Sequence, residues 1–173
     1  IPTDTREALE TAAERVRTFQ SAAMPKSWHD DDRHYGELVT PVKRVGAYVP
    51  GGTAPLASTV IMTVVPARVA GVDEVYLTTP AAGDALPHPA VLAAAAIAGA
   101  DRVFKAGGAQ AIAGFAYGTE TVPAVDLIVG PGNVWVTAAK RQLFGRVGID
   151  GLYGPTETLV VADETSDPEF CAS

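Results

Sequence analysis

An α/β fold built on a parallel, doubly wound sheet is what this sequence predicts, and three observations carry the expectation. From Val42 onward, strand-like and helix-like segments alternate regularly. The strand-like segments are short and apolar throughout, and three of them end abruptly in a glycine-rich turn that opens into a helix-like segment. Strands alternating with helices of these lengths imply βαβ units, and hence a parallel sheet with helices on both faces. Right-handed crossovers follow from that connectivity. Continuous apolar strands are expected where both faces of a sheet are covered.

The elements follow in order. Residues 4–20 carry a helical pattern, with Leu9, Ala12, Ala13, Val16 and Phe19 recurring at helix spacing among charged residues. Thr3 or Asp4 would cap its start. The pattern dissolves between Ser21 and Thr40, which reads as a polar connector without regular structure. Strands are then expected over 42–49, 74–79, 102–106 and 125–130, separated by helices over 55–70, 87–98, 109–117 and 133–144. The alanine-rich run Ala90–Ala98, flanked by Pro89 and Gly99, is too short for a membrane span and reads as a buried helix. A last run, Thr158–Ala162, is again strand-like. Asp167 and Pro168 have the character of an N-cap and first helical position. The opening helix has no evident partner, and a chain that ends inside a starting helix reads as a piece of something longer.

Composition narrows the function classes. With 173 residues, 47% of them hydrophobic and 19% charged, the chain can bury one good-sized core. A net charge of −7 argues against general affinity for nucleic acid or an anionic membrane. It leaves room for a local anion site, because glycine-loop amides and helix ends attract anions without Lys or Arg. Cys171 stands alone, so no internal disulfide and no thiolate metal cage can form; a reducing, cytoplasmic setting is expected. Neither a signal peptide nor an apolar run of spanning length is evident.

The three glycine turns locate the chemistry. They are Arg44-Val-Gly-Ala-Tyr-Val-Pro-Gly-Gly52, Arg102-Val-Phe-Lys-Ala-Gly-Gly108 and Asp126-Leu-Ile-Val-Gly-Pro-Gly-Asn133. In a parallel sheet they would share one edge, where open α/β folds bind ligands, and each following helix would offer unpaired N–H groups to an anion. The unit is thus Rossmann-like and suited to a nucleotide. Its first turn, however, lacks the Gly-x-Gly-x-x-Gly spacing, so the grip must differ from the common one. Tyr48 at a strand end can stack on a ring or serve as a rim core residue. Gln110 and Asn133 at helix starts can bond a ligand or cap their helices, and capping is the better default for Asn133. His29 and His34 flank Asp30–Asp32 in a polar loop without metal-ligand spacing, and His88 between Pro87 and Pro89 reads as a helix start. No nucleophile-base pair, metalloprotease motif or Walker loop is present.

Four motifs together resemble one family. Val45-Gly-Ala-Tyr-Val-Pro-Gly-Gly-Thr-Ala-Pro55, Gly107-Gly-Ala-Gln-Ala-Ile-Ala113, Gly130-Pro-Gly-Asn133 with Ala139-Lys-Arg-Gln142, and Gly154-Pro-Thr-Glu157 are similar, in order and spacing, to those of histidinol dehydrogenases. The resemblance implies a zinc-dependent, NAD-linked enzyme of histidine biosynthesis. Such an enzyme oxidises L-histidinol through the aldehyde to L-histidine and reduces two NAD⁺ in succession. It implies that Tyr48, Gln110 and Asn133 contact NAD and that Thr156 touches substrate. It also implies that the zinc ligands and the catalytic Glu-His bases, beginning with a Gln-Ala-Glu-His motif, have no counterpart in these 173 residues. By this resemblance the chain divides into part of a flanking domain (1–41), a Rossmann-like NAD-binding domain (42–150) and a return segment into the flanking domain (151–173). An intertwined homodimer is expected of the whole enzyme. If its contacts are missing, apolar faces on the opening helix and on Thr158–Ala162 would favour association. A paralogue acting on another small alcohol and a non-catalytic nucleotide-binding module are the alternatives.

Overall fold

A computed structural model of the chain describes residues 1–51, 55–152 and 159–172. Its elements in chain order are α1 (Thr3–Ala23), β1 (Trp28–Asp30), β2 (Tyr35–Glu37), β3 (Arg44–Tyr48), α2 (Ala57–Val69), β4 (Glu74–Thr79), α3 (Pro89–Ala98), β5 (Arg102–Lys105), α4 (Gly108–Tyr117), β6 (Leu127–Val129), α5 (Val134–Leu143), β7 (Gly148–Ile149) and α6 (Pro168–Ala172). Five strands pair in the order β5-β4-β3-β6-β7, and every pairing is parallel. The expected α/β class and doubly wound sheet are therefore present.

Alternation within the strands sorts side chains to two cores. Val45, Ala47, Val49, Val75 and Leu77 face α2 and α3, joined there by Val60, Val64, Val65, Ala94 and Ala95. Tyr48, Tyr76 and Ile128 face α4 and α5, where Ile112, Phe115 and Val136 complete the second core. Gly46 makes the second packing possible, since a β-carbon there would lie 2.6 Å from the Phe115 ring. The ring of Phe115 meets Phe104 edge-on, and Phe104 meets Tyr76 likewise.

Several expectations need correction. The opening helix does have partners: Ala13 is buried, and Leu9, Ala12 and Val16 pack on the core formed by α2 and α3. Its apolar face is thus covered from within the chain, although Phe19 stays exposed. Neither Thr3 nor Asp4 caps α1: the capping position falls to Pro2, and Asp4 sits inside the first turn accepting the Thr5 N–H. The connector holds a small antiparallel hairpin, β1 with β2, whose Trp28 and Tyr35 rings meet edge-to-face. A fifth sheet strand, β7, follows α5 where no strand was expected. Residues 159–162 form no strand among the described residues; Leu159, Val160 and Val161 lie exposed, because β-prone residues need a neighbouring ladder to become a strand. Thr158 lies outside the described residues. His88 starts α3 as expected, its Nδ1 accepting the Ala90 N–H ahead of Pro89, and Asp167 accepts the Glu169 N–H at the start of α6. Among the described residues no helix is long and apolar enough to cross a membrane.

Candidate functional site

Because all five strands run parallel, the glycine bends after β3, β5 and β6 emerge at one edge of the sheet. The chain passes from β3 out to β5 and returns to β6 on the other side of β3, so the order reverses between β3 and β6. Ligands of open α/β folds bind outside the carboxyl ends of strands at such a reversal. Gly130 lies there with φ +108°, and a β-carbon on it would stand 2.1 Å from the Tyr48 carbonyl oxygen. Only glycine fits both the angle and the approach. Gly130 lines a cavity of about 670 Å³ with Asp150, Ser58 and Thr59, and a separate cleft of about 530 Å³ between the ends of β3 and β4 is lined by Pro50, Gly51, Thr79, Pro80, His88 and Val91. Gly52, Thr53 and Ala54 of the first bend lie outside the described residues.

The four site residues expected from the sequence fare differently. Tyr48 is 4% exposed, packed in the second core, and its hydroxyl accepts the Gly108 N–H at 3.1 Å. Of its two readings, stacking platform or rim core residue, the packing favours the second, leaving the hydroxyl as the part that faces the helix start. Gln110 is exposed in the first turn of α4, where its Oε1 lies 2.9 Å from the position a Gly108 β-carbon would take. Tyr48 and Gln110 therefore both lie against Gly108 at the start of α4. Asn133 caps α5, its Oδ1 accepting the Trp135 and Val136 N–H groups at 3.1 Å each, as the default reading expected. Its Nδ2 is not committed to the cap. Thr156, with the rest of Gly154–Glu157, lies outside the described residues.

Two further residues shape this edge and were not singled out from the sequence. Lys140, 2% exposed, donates from Nζ to the Gly130 carbonyl at 3.0 Å and to the Asp150 carboxylate. Asp150, just after β7, accepts the Gly130 N–H at 2.7 Å and the Gly151 N–H at 2.9 Å. A signal existed: Val136, Ala139, Lys140 and Leu143 recur at helix spacing, which puts a lysine on the buried stripe of α5.

The electrostatics of the edge suit an anion. Among the described residues the residues preceding α2 and α4, Leu56 and Gly107, make no side-chain cap, the Tyr48 hydroxyl takes the first N–H of α4, and the first turns of α2, α4 and α5 carry no acidic residue. The positive ends of three helix dipoles thus meet no carboxylate of their own. Backbone amides and side-chain amides here can hold and orient a phosphate-bearing ligand. For a metal the fit fails: among the described residues no group of three or more His, Cys, Asp or Glu side chains could hold an ion, and His29 is hydrogen-bonded to Asp31 at 2.9 Å in its exposed turn.

Comparison with known proteins gives a consistent result. A family model described as histidinol dehydrogenase matches residues 1–173. The histidinol dehydrogenase of Natronomonas pharaonis is 56% identical over 172 residues, covering 98% of this chain and 40% of its own length. That of Deinococcus radiodurans is 55% identical over 168 residues, covering 96% of this chain and 38% of its own. The crystal structure of histidinol dehydrogenase from Elizabethkingia anophelis superposes with a TM-score of 0.83 at 36% identity, over 99% of this chain and 43% of that one. The chain spans about two-fifths of the length of these relatives. With its sequence matched from end to end and its glycine bends gathered at one sheet edge, the chain belongs to the histidinol dehydrogenase family.

Proposed function

We propose that this chain supplies the NAD-binding part of an enzyme that oxidises L-histidinol through histidinal to L-histidine. The observation that carries the reading is that the chain bends through glycine after β3, β5 and β6 at one sheet edge, beside helix starts whose first turns carry no acidic residue. Bound NAD⁺ would take up the hydride released from the alcohol carbon. The residues of this chain bind and orient. The Tyr48 hydroxyl and the Gln110 amide both lie against Gly108 at the start of α4, and the Asn133 side chain stands at the start of α5. Each can bond the dinucleotide without changing protonation state, so their task is placement rather than proton transfer. Thr156 is proposed to touch the substrate. The zinc of the family finds no ligand set among the described residues, and no step is assigned to it here.

On this reading residues 1–41 and 151–173 belong to a flanking domain, the intact enzyme is a cytoplasmic homodimer, and its partner is a small alcohol rather than nucleic acid or membrane. Titrating NAD⁺ into the purified chain tests the reading. Saturable binding is expected, weakened by Gln110→Ala without loss of melting temperature, because that exposed side chain stabilises little. The same preparation is expected not to oxidise histidinol. Absence of saturation, or a Gln110→Ala variant that binds like the parent, would count against the assigned site, and turnover by the isolated chain would refute the division of labour.

A further inference from the structure

We propose that Lys140 and Asp150 are positioning residues for the dinucleotide, a clamp of one buried lysine and one partly exposed aspartate that fixes the Gly130–Asn133 bend in its binding geometry. The proposal rests on the cofactor reading above. Both backbone polar atoms of Gly130 are turned into the protein, the N–H onto Asp150 and the carbonyl onto Lys140, and the two side chains are paired with each other. The clamp joins three elements: the bend after β6, the end of β7 and the second turn of α5. Lys140 lies seven residues after Asn133, two helical turns along nearly the same face, so holding its ammonium on the Gly130 carbonyl ties α5 to the bend at both ends of the turn.

The chemistry is an unusual choice for stability alone. A lysine side chain 2% exposed loses its hydration while the Asp150 side chain keeps 20% exposure, and an ion pair with a buried member is often no more stable than a well-packed apolar pair of similar volume. What the pair achieves that apolar side chains cannot is to satisfy both polar atoms of a glycine at φ +108° and so select one backbone conformation. It also places a carboxylate beside an anion site with its charge already neutralised. Asn133 then reaches the sheet edge from a bend that cannot rotate.

The test compares NAD⁺ affinity with stability in the whole chain. Lys140→Met and Asp150→Asn are titrated with NAD⁺ beside Val65→Ala, a core truncation in α2 on the opposite face of the sheet, with melting temperatures recorded for all. Positioning predicts that both clamp variants raise the Kd by about tenfold or more, while Val65→Ala, at a comparable fall in melting temperature, stays within about twofold of the parent. Asp150→Asn is near-isosteric and carries the test if Lys140→Met does not fold. Equal Kd shifts for clamp and control variants at matched melting temperature would overturn the proposal. So would tighter binding by Asp150→Asn, which would show that the pair acts through charge and not through geometry. A parent chain that fails to bind NAD⁺ would overturn the cofactor reading before any variant is compared, and the clamp's role with it.

Discussion

The two edges of the sheet are built from opposite materials. At the amino edge β3, β4, β5 and β6 each begin at or beside a charged residue whose partner lies on a neighbouring element. Asp126 accepts the Arg44 N–H at 2.8 Å, Asp101 accepts the Val75 N–H at 2.6 Å, and the Arg44 guanidinium donates to Glu74 at 2.9 Å. Arg68 ties the loops together through the Gly99, Val72 and Asp73 carbonyls and Asp101. The carboxyl edge offers instead Pro50, Gly51, Gly107, Gly108, Gly130 and Pro131 and helix starts without acidic residues. At the first edge charged side chains tie strand ends and loops together; at the second the chain bends through Gly and Pro, with Gly130 held from behind by Lys140 and Asp150. Stability and binding are thereby separated along the strand direction, and substitutions at the two edges should give different signatures.

The largest effect is expected at Gly130. Alanine there combines a backbone angle unfavourable to L-residues with a β-carbon 2.1 Å from the Tyr48 carbonyl oxygen. Neither can be relieved without separating β3 from β6. We expect Gly130→Ala to destabilise by about 3–5 kcal/mol, the strain and overpacking terms together, read from denaturant unfolding. A loss below about 1 kcal/mol would mean that the bend is softer than its geometry implies.

At Asn133 the expected loss of stability is smaller and the loss of binding sharper. Asn133→Ala removes a cap serving two N–H groups and should cost about 1 kcal/mol. Asn133→Asp keeps the cap but exchanges the Nδ2 donor for negative charge at the helix start. If the side chain serves the cofactor, the aspartate variant retains the parent's stability and still binds NAD⁺ poorly. Equal NAD⁺ affinity in the parent and the aspartate variant would reduce Asn133 to a helix cap.

How far all this could be read from the sequence depends on whether the signal was local. Glycine after an apolar run marks a bend wherever it occurs, so the turns at Gly107 and Gly130 were legible, as were α2 to α5 and the four longest sheet strands. The capping roles of His88 and Asp167 were legible for the same reason. Strand β7 was not: two residues, one of them Gly148, carry no periodicity, and the strand exists because β6 is beside it. The hairpin β1–β2 hid in a charged stretch whose short strands bury almost nothing. Residues 159–162 misled in the other direction, having strand propensity but no strand to pair with among the described residues. Tyr48 could be placed at a strand end but not assigned to core or ligand, because that depends on Phe115 and Gly108 arriving from 60 or more residues away. Lys140 was legible as a member of a buried stripe, yet its partner Asp150 lies beyond the end of the helix and follows only from the fold.

The smallest effect belongs to the amino edge and concerns acid. Glu74 accepts hydrogen bonds from the Tyr76 hydroxyl and from Arg44, and these hold its carboxyl below the ordinary carboxylate value of 4.5. A carboxyl depressed in the folded state contributes stability that is fully present above its unfolded value and is lost as pH falls through the folded one. Glu74→Gln should therefore flatten the loss of stability below about pH 4.5 while leaving the neutral-pH melting temperature only slightly lower, the side chain being 34% exposed. NAD⁺ affinity at neutral pH should not change, since the residue stands at the far end of its strand from the glycine bends. A Glu74→Gln variant that binds NAD⁺ less tightly, with melting behaviour like the parent's, would show that the two edges are coupled through β4 and that the division between them is incomplete.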